Sequence, residues 1–266
     1  MRLAVLLNPK SDFIWTPSDQ YKLRGVIWKA LKGTTYEKLH EQSDTPTFTF
    51  SNVFTADGQA GINDPITENT PSILLMSSPH PNLLDIVAAD FDALDKLEIG
   101  DNMFTIDRIE SREINAGRVG EQGTIKTQTG LYLRLPPEEQ EKYNINSPYE
   151  ESTISWTPDH GLKLFKERLL DNINWKINTL DPTVEDTPDT FQDIFNSVSV
   201  KTTFEANVNV TEDYAYTFIP SVCEFEYTVT DNTHRRWINT LFDSGLGWKN
   251  ALGFGFLNRT DTSNLT

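Results

Sequence analysis

Residues 245–256 hold the amino acids of this chain whose types and spacing most clearly suggest a chemical role. The segment contains four glycines in two Gly-x-Gly pairs, and Trp248, Lys249 and Asn250 lie between the pairs. Glycine adopts positive φ angles without a steric penalty, so successive backbone N–H groups can point toward one anion. The spacing fits neither common nucleotide-binding loop, because Asn250 stands where the dinucleotide loop needs its third glycine and the triphosphate-loop motif is missing. We interpret the segment either as a backbone cradle for the phosphates of a nucleic acid or as a turn followed by a strand.

The remaining residue types argue against a metal site and against a membrane protein. Cys223 is the only cysteine, and the four histidines are scattered without metal-ligand spacing. We therefore expect no metal and no cofactor. No apolar run approaches the ~18 residues of a membrane helix, and the first apolar run is too short for a signal peptide. Together with the single cysteine, these features predict a protein of the reducing cytoplasm that does not associate with a membrane.

Charge is distributed unevenly along the chain, whose formal net charge is −16. Residues 1–40 hold 7 basic and 3 acidic residues, and residues 232–259 hold 4 basic and 1 acidic residue. Residues 41–231 hold 12 basic and 34 acidic residues. If the two net-positive segments meet in the fold, they form a basic site on an acidic body, as a nucleic-acid-binding protein requires. The alternative is that charge merely varies along the chain.

Hydrophobic periodicity predicts the same order of elements, β-α-β-β-α-β, in both halves of the chain. The predicted helices span residues 19–32, 81–96, 160–180 and 231–244, and the predicted strands span residues 2–7, 48–54, 72–77, 103–114, 124–135, 197–210, 214–229 and 252–257. We therefore expect an α+β fold of two tandem ferredoxin-like (RRM-like) domains, at residues 1–117 and 121–266. A strand at 252–257 would place Gly253 and Gly255 on one bare face, open to the close approach of another molecule.

Both ends of the chain resemble one known family. Residues 245–256 are similar to the glycine-rich loop G-x-G-x-x-x-x-x-G-F-G of the CRISPR repeat-processing endoribonucleases, the sixth family of CRISPR-associated proteins in the repeat-associated mysterious protein superfamily. Near the start, residues 21–28 match that family's first helix. Leu39-His40-Glu41 and residues 48–54 match its Leu-His-[Asp/Glu] and Phe-[Thr/Ser]-[Phe/Tyr]-Ser patterns. The order and spacing of elements agree over the whole chain, with dense residue matches at its two ends.

The resemblance implies metal-independent cleavage of the CRISPR repeat in precursor RNA, and it implies the precursor and product RNA as partners. RNA supplies its own nucleophile, the 2′-OH, and a histidine can act as general base or general acid near neutral pH. His40 is the candidate for this role. The expected products carry a 2′,3′-cyclic phosphate and a 5′-hydroxyl. Subunits of a CRISPR effector complex are further candidate partners.

Two positions depart from the family pattern. Trp28 stands where many members carry a tyrosine, and it can only stack on a base or pack, because tryptophan does not transfer protons. Residues 42–47 contain no lysine, where many members carry one, so the group that stabilises charge on the reacting phosphate is open. The candidates by charge or proximity are Lys29, Lys32, Tyr36, Lys38 and Lys249. We include Tyr36 and Lys38 with His40 in the predicted catalytic site.

The predicted RNA-binding residues share a positive charge, a flat ring, an amide or a glycine backbone. Arg235 and Arg236 lie on a predicted helix and can contact phosphate, unless that helix face is merely solvated. The full set is Trp28, Lys29, Arg235, Arg236, Gly245, Gly247, Lys249, Asn250, Gly253 and Gly255.

Two other functions remain open at this point. One is a non-catalytic RNA-binding subunit of a CRISPR effector complex with the same fold, and the other is an unrelated ferredoxin-like RNA-binding module. His40 in its matching context favours the enzyme. The acidic body also suggests a salt-loving archaeon as the source. In a salt-rich cytoplasm, short-range hydrogen bonds and stacking would carry RNA affinity in place of long-range attraction.

Overall fold

The computed structural model describes residues 1–41, 47–58, 60–145, 153–184, 186–211 and 214–260. Two antiparallel sheets dominate the fold, and each is built from one half of the chain. None of the helices in these ranges is long and apolar enough to cross a lipid bilayer.

The N-terminal half forms the larger sheet and two helices. Its elements are β1 (Arg2–Pro9), β2 (Phe13–Ile14), α1 (Pro17–Ala30), β3 (Thr49–Phe50), β4 (Phe54–Thr55), β5 (Pro65–Ile66), β6 (Ser72–Ser77), α2 (Pro81–Asp92), β7 (Leu97–Ile99) and β8 (Asn102–Arg112). The sheet has the order β3-β6-β1-β8-β7, with β4 also paired to β6, and the short strands β2 and β5 pair separately. Leu3, Val5 and Leu7 alternate along β1 and pack with residues of α1 and α2 in one core.

Helix α1 begins earlier than predicted because Thr16 and Asp19 form a capping box. The backbone N–H and the hydroxyl of Thr16 both donate to the Asp19 carboxylate, at 2.9 and 2.8 Å. Pro17 fits the first turn, where its missing N–H would have no partner in the helix. Leu23 and Ile27 lie one turn apart and are fully buried in the core, so the helix turns its basic residues outward.

The C-terminal half forms a second, four-stranded sheet with two long helices. Its elements are β9 (Gln122–Thr127), β10 (Arg134–Leu135), α3 (Pro137–Lys142), β11 (Ile154–Ser155), α4 (Leu162–Leu180), β12 (Ser197–Thr203), β13 (Ala206–Thr211), β14 (Tyr214–Phe218), β15 (Ser221–Thr228), α5 (Asn232–Ser244) and β16 (Leu257–Arg259). The sheet has the order β12-β15-β9-β16. Helix α5 begins after Asp231, whose carboxylate accepts the backbone N–H of His234 at 2.8 Å, and this N-cap confirms the predicted start of the helix.

Both sheets have the same connectivity. In each half the first and third main strands lie side by side in the centre, and the second and fourth main strands lie outside them. One helix follows the first strand and another follows the third, α1 and α2 in one half and α4 and α5 in the other. This is the ferredoxin-like arrangement, so the predicted α+β fold with two tandem ferredoxin-like domains is confirmed. The proposed division at residues 117 and 121 remains a prediction.

The two long strands predicted at 197–210 and 214–229 are wrong in length. Each one is interrupted, so that β12 and β15 pair within the sheet while β13 and β14 form a separate hairpin. The hairpin buries Ala206, Val208 and Phe218 against Tyr132 and Phe254, outside the main core of its own half. In 197–210 the alternating pattern continues across the break, so periodicity alone cannot detect that the partner changes. In 214–229 the buried positions change from even to odd numbers across Pro220, which marks the break.

Other boundaries also differ from the predictions. Helix α2 ends at Asp92 instead of residue 96, which frees the chain to form β7, an edge strand that was not predicted. Strand β9 ends at Thr127 instead of residue 135. The segment 136–157, for which no helix or strand was predicted, contains the short helix α3 after Pro136.

Polar contacts of the first two residues join the two halves. The guanidinium of Arg2 in β1 is 4% exposed and donates to the carbonyl of Leu257 at 2.5 Å and to the side chain of Asn258, both in β16. The same guanidinium lies 4.4 Å from the ring centroid of Phe256. The terminal ammonium of Met1 pairs with a carboxylate oxygen of Asp243 in α5 at 2.8 Å. Strand β16 follows residues 245–256 directly, so these contacts fix that segment relative to the first sheet.

Candidate active site and nucleic-acid interface

Residues 245–256 form a compact loop, which we call the glycine loop. A 3-10 helix spans Asn250–Leu252 within it, and β16 begins only at Leu257. All four glycines have φ angles between 70° and 82°, so none lies in extended backbone. The predicted strand at 252–257 is therefore wrong, and so is the bare glycine face that it implied. Alternating residue types suggested a strand, but the loop achieves its course through left-handed backbone that only glycine adopts readily.

The four glycine N–H groups all donate hydrogen bonds inside the protein. For Gly245, Gly247, Gly253 and Gly255 in turn, the acceptors are the carbonyl of Leu241, the side chain of Asn172, the carbonyl of Asn250 and the carbonyl of Gly130, at 2.8, 2.9, 2.8 and 3.0 Å. These donors are already used, so the geometry does not support a phosphate cradle made of glycine N–H groups. The glycines instead allow the loop to fold tightly.

A buried lysine holds the glycine loop from inside. Lys176 of α4 is 0% exposed, and its ammonium donates to the carbonyl oxygens of Ser244 and Gly245 at 3.1 and 2.7 Å and to Oδ1 of Asn250 at 2.6 Å. Three acceptors match the three N–H donors of an ammonium group. Burial lowers the pKa of Lys176 well below its ordinary value of 10.5, because desolvation disfavours the charged form.

Asn250 connects the two sides of the same loop. Its side-chain Nδ2 donates to the carbonyls of Leu246 and Phe254 at 3.0 and 2.9 Å, and its Oδ1 accepts from Lys176. The residue is 6% exposed. Asn250 was predicted to bind RNA, but its amide is fully engaged inside the protein, so the structure gives it the role of shaping the loop.

The glycine loop packs against the N-terminal half. Its 3-10 helix contacts both α1 and β3. Gly253 lies so close to Phe50 of β3 that a Cβ atom would approach the ring to 2.6 Å. Ala251 and Trp28 both pack on the edge of the N-terminal core. The loop therefore lies at the junction of the two halves, and it needs a glycine at position 253 to fit there.

This packing brings the two net-positive segments of the sequence together. Lys29, Lys32 and Lys38 are exposed on or after α1, and Lys249 is exposed on the glycine loop. Within the described ranges, none of these four lysines forms an ion pair. Lys249 also has a φ angle of 61°, a left-handed conformation that residues other than glycine rarely adopt. The two net-positive segments thus meet at the junction of α1 and the glycine loop, as the charge distribution required of a basic site.

The chain after α1 carries the predicted catalytic residues. A 3-10 helix at Glu37–Glu41 contains Lys38, which is exposed, and His40. Tyr36 precedes this helix, is half-buried and packs its ring on His80, with the centroids 5.8 Å apart. Burial lowers the pKa of His80, which favours a neutral imidazole at neutral pH. The side chain of His40 and residues 42–46 lie outside the described part of the chain.

Trp28 packs against the core, which is one of the two roles predicted for it. Its indole packs on Phe48, with ring centroids 5.2 Å apart and planes at 60°, and the residue is half-buried. The ring therefore supports the edge of the core beneath the basic site, next to the exposed Lys29.

A comparison with protein families decides the class of this chain. Residues 115–259, more than half of the sequence, match the family model described as CRISPR associated protein Cas6, C-terminal. The chain belongs to the Cas6 family. A CRISPR-associated endoribonuclease Cas6 from Haloferax mediterranei is 30% identical to it over 259 residues, which cover 97% of this chain and 93% of that relative. A CRISPR-associated endoribonuclease Cas6 2 from Methanocaldococcus jannaschii is 24% identical over 270 residues, with coverage of 97% and 99%.

Solved structures share the Cas6-family fold. A structure described as CRISPR associated protein Cas6 superposes with a TM-score of 0.69 at 18% identity and covers 98% of this chain and 99% of its own. A Cas6-related protein from Pyrococcus furiosus superposes equally well, with a TM-score of 0.69 at 17% identity and 98% coverage of both chains. At these identities the likeness concerns the fold, and it extends over both ferredoxin-like domains.

Two of the residues predicted to bind RNA lie away from the loop of this Cas6-family chain. The guanidinium of Arg236 donates to both carboxylate oxygens of Asp181, at 2.8 and 2.7 Å, and to the hydroxyl of Thr183. Arg236 precedes Gly245 by nine residues on α5, which corresponds to about 14 Å along a helix axis. Arg235 is half-buried on the same turn. The structure therefore does not bring these arginines to the junction of α1 and the glycine loop.

Sequence reasoning missed the residues of α4 that hold the loop of this Cas6-family chain. Asn172, Trp175 and Lys176 have the spacing i, i+3 and i+4, which places them on one face of the helix. Asn172 binds the N–H of Gly247, Lys176 binds three acceptors and Trp175 stacks on Trp248. A signal was available in the sequence, because an asparagine and a lysine interrupt the otherwise apolar face of a long helix.

Proposed function

We propose that this protein is an endoribonuclease that cleaves precursor CRISPR RNA within each repeat and releases guide RNAs. One observation carries the proposal: the glycine loop packs on α1 and β3, and the chain that follows α1 leads into the 3-10 helix that contains His40. Membership of the Cas6 family supports it, since two relatives that align over nearly the whole chain are named CRISPR-associated endoribonucleases.

The proposed reaction needs no metal ion, because RNA carries its own nucleophile. The 2′-oxygen attacks the adjacent phosphorus while the bond from phosphorus to the 5′-oxygen breaks. The proton of the 2′-OH passes to a general base, and the 5′-oxygen of the leaving strand receives a proton from a general acid. The products are a 2′,3′-cyclic phosphate and a 5′-hydroxyl. We assign one of the two proton transfers to His40, because an imidazole exchanges protons near neutral pH.

The neighbours of His40 supply the electrostatic part of this mechanism. Negative charge develops on the phosphate oxygens in the transition state, and a positioned cation or hydroxyl donor stabilises it, typically by about 3 kcal/mol. Lys38 lies on the same 3-10 helix and Tyr36 immediately precedes it. Lys29, Lys32 and Lys249 are exposed near the junction and are assigned to the phosphates of the bound strand. Single substitutions identify the group that stabilises the transition state, which is either Tyr36 or a lysine of this set: Lys29, Lys32, Lys38 and Lys249.

Cleavage of a labelled repeat RNA in EDTA and KCl tests the proposal directly. We expect a single cut near the base of a repeat hairpin, or just 3′ to it, with a cyclic phosphate that resists phosphatase until acid opens it. His40→Ala should abolish cleavage and leave RNA binding largely intact. The control is His160→Asn in the other half, which removes a histidine but keeps a hydrogen-bond acceptor where His160 accepts the N–H of Thr157. A requirement for a divalent ion, or full activity of His40→Ala, would contradict this mechanism.

The alternative function is a non-catalytic RNA-binding subunit of a CRISPR effector complex. The same assay separates the two, because such a subunit would bind the repeat and leave it intact.

Mass spectrometry of the RNA retained after the reaction tests a further part of the proposal, that the protein holds its product for delivery to effector subunits.

A further inference from the structure

An aromatic and cationic cluster lies on the side of the glycine loop that faces α4 and β10. The indoles of Trp175 and Trp248 stack with ring centroids 5.1 Å apart and planes at 30°. The guanidinium carbon of Arg134 lies 3.7 Å from the centroid of the Trp248 ring. We call these three side chains the Arg-Trp-Trp stack. None of them belongs to the residues assigned above to catalysis or to phosphate binding.

The stack is held in one position before any ligand arrives. The backbone N–H of Trp248 donates to the carbonyl of Tyr132 at 2.9 Å. Lys176, the neighbour of Trp175 in the sequence, fixes the loop on its other side through three hydrogen bonds. A rigid aromatic surface loses little conformational entropy when it binds, so this geometry suits ligand recognition.

The ring available to a ligand is that of Trp175. With a guanidinium over its ring and a second indole stacked on it, Trp248 has little face left. Both indoles are half-buried. On the helix of Trp175, Asn178 and Thr179 are exposed and uncharged, and Asp171 one turn earlier is exposed and pairs with Arg168. Lys249, which follows Trp248, is exposed. The half-buried ring of Trp175, stacked against a loop that carries the exposed Lys249, is therefore complementary to a ligand that combines an aromatic ring with an anion.

We propose that the Arg-Trp-Trp stack is a nucleobase-stacking site, where one unpaired base of the repeat RNA stacks on Trp175 while the adjoining backbone passes Lys249. The inference rests on the proposed RNA-binding function and extends it to a surface beyond the junction of α1 and the glycine loop. Stacking of a base on an aromatic side chain depends little on sequence and contributes about 1–3 kcal/mol per base, a factor of about 5 to 150 in affinity.

Two substitutions at position 175 test the role of the ring. Trp175→Leu removes the aromatic face but keeps an apolar side chain against Trp248, whereas Trp175→Phe keeps an aromatic face. Binding is measured by fluorescence anisotropy with repeat RNA made uncleavable by a 2′-deoxy sugar at the cleavage position, at several KCl concentrations. We expect Trp175→Leu to raise Kd about 5- to 150-fold, and Trp175→Phe to raise it much less. The slope of log Kd against log salt should not change, since no charge is removed.

An abasic scan of the RNA separates stacking from a structural role. If a base stacks on Trp175, removing that base from the RNA weakens binding to the wild-type protein. The same abasic RNA binds Trp175→Leu no more weakly than intact RNA does, because the variant has already lost the contact. The proposal is overturned if Trp175→Leu binds like wild type. It is also overturned if the loss of affinity caused by Trp175→Leu adds fully to the loss caused by the abasic sugar at every position of the RNA. Trp175 would then only support the loop. Wild-type protein that fails to bind or cleave the repeat would refute the proposed function itself, whereas cleavage with an unaffected Trp175→Leu would refute the stacking site alone.

Discussion

Lys249 combines a strained backbone with an exposed charge. The strain affects the stability of the fold and the charge affects RNA binding, so the two can be measured separately. Its φ angle of 61° costs a residue with a side chain about 1–2 kcal/mol relative to glycine. Because glycine would fit this backbone better, we expect the ammonium group of Lys249 to have a use of its own. Phosphate binding is the use that the neighbouring lysines of α1 suggest.

Lys249→Gly should therefore weaken RNA binding without weakening the fold. We expect the midpoint of thermal unfolding to stay constant or rise, because glycine relieves the left-handed strain. The slope of log Kd against log salt should fall by about 0.7, the value for one contact to a single-stranded phosphate. Lys163→Ala removes an equal charge from α4, where the lysine side chain is 85% exposed, and serves as the control. Binding by Lys249→Gly with the wild-type slope would show that Lys249 does not touch the backbone of the RNA.

Lys176 is the residue on which the shape of the glycine loop depends. Its ammonium is the shared donor for three buried acceptors, and each buried acceptor left without a donor costs about 1–3 kcal/mol. We expect Lys176→Met, which keeps the length of the side chain, to lower the free energy of unfolding by about 3 kcal/mol or more. The same change at Lys163 should alter it by less than about 0.5 kcal/mol. Urea unfolding of both variants makes the comparison.

The pH dependence of stability gives a second measurement of Lys176. Its pKa in the folded protein lies below 10.5, so between the two values the unfolded chain binds a proton that the folded protein lacks. Stability should then rise with pH in that window, and Lys176→Met should lose this rise. Equal stability of Lys176→Met and wild type would contradict the assigned role.

At the scale of elements, the helices were predictable from sequence and several strands were not. The apolar stripes of α4 and α5 and the cap at Asp231 are local signals, and the structure follows them closely. Strands depend on the partner they find. The segment 197–210 keeps one alternation throughout, whereas in 214–229 the buried positions change from even to odd numbers across Pro220. The inner ends of both segments leave the sheet and cover Phe254 of the glycine loop. The alternation of 197–210 does not record the change of partner, whereas the phase shift at Pro220 is a local signal of it that sequence reasoning missed.

The candidate site was predictable in its parts but not in its internal support. Charge distribution and the glycine spacing located α1 and the loop, because both are properties of short segments. The roles within the loop depend on contacts between distant residues. Asn250 is 74 residues from Lys176, and Gly253 touches Phe50 across the two halves. Periodicity therefore predicted a strand at 252–257 that is not there. The glycines instead adopt left-handed backbone, which lets the loop turn around the buried ammonium group of Lys176.

On the scale of the whole molecule, the two ferredoxin-like halves act as one support for the junction. Arg2 ties β1 to the strand that follows the glycine loop, and the β13–β14 hairpin reaches back to α1, where the hydroxyl of Ser18 donates to the carbonyl of Asn207 at 3.3 Å. The loop is thus fixed to the N-terminal half on both of its sides. The shape of this junction is then a property of the entire chain and not of either half.

The net charge of the molecule has opposite effects on folding and on RNA binding. A formal charge of −16 repels itself in the compact state, and added salt screens this repulsion, since the Debye length falls from about 10 Å at 0.1 M to about 3 Å at 1 M. We expect the unfolding temperature to rise between 0.1 and 2 M KCl. NaCl at equal ionic strength should act alike if screening is the cause.

RNA affinity should fall over the same range, because the phosphate contacts of the lysines are screened. Its loss should be shallow, since the basic site has only a few exposed lysines and base stacking on Trp175 does not depend on salt. Thermal unfolding and anisotropy titrations on the same KCl series measure both trends. A protein that is most stable at the lowest salt would show that self-repulsion of its acidic surface does not limit its stability. A steep loss of affinity would mean that phosphate contacts, and not stacking, hold the repeat.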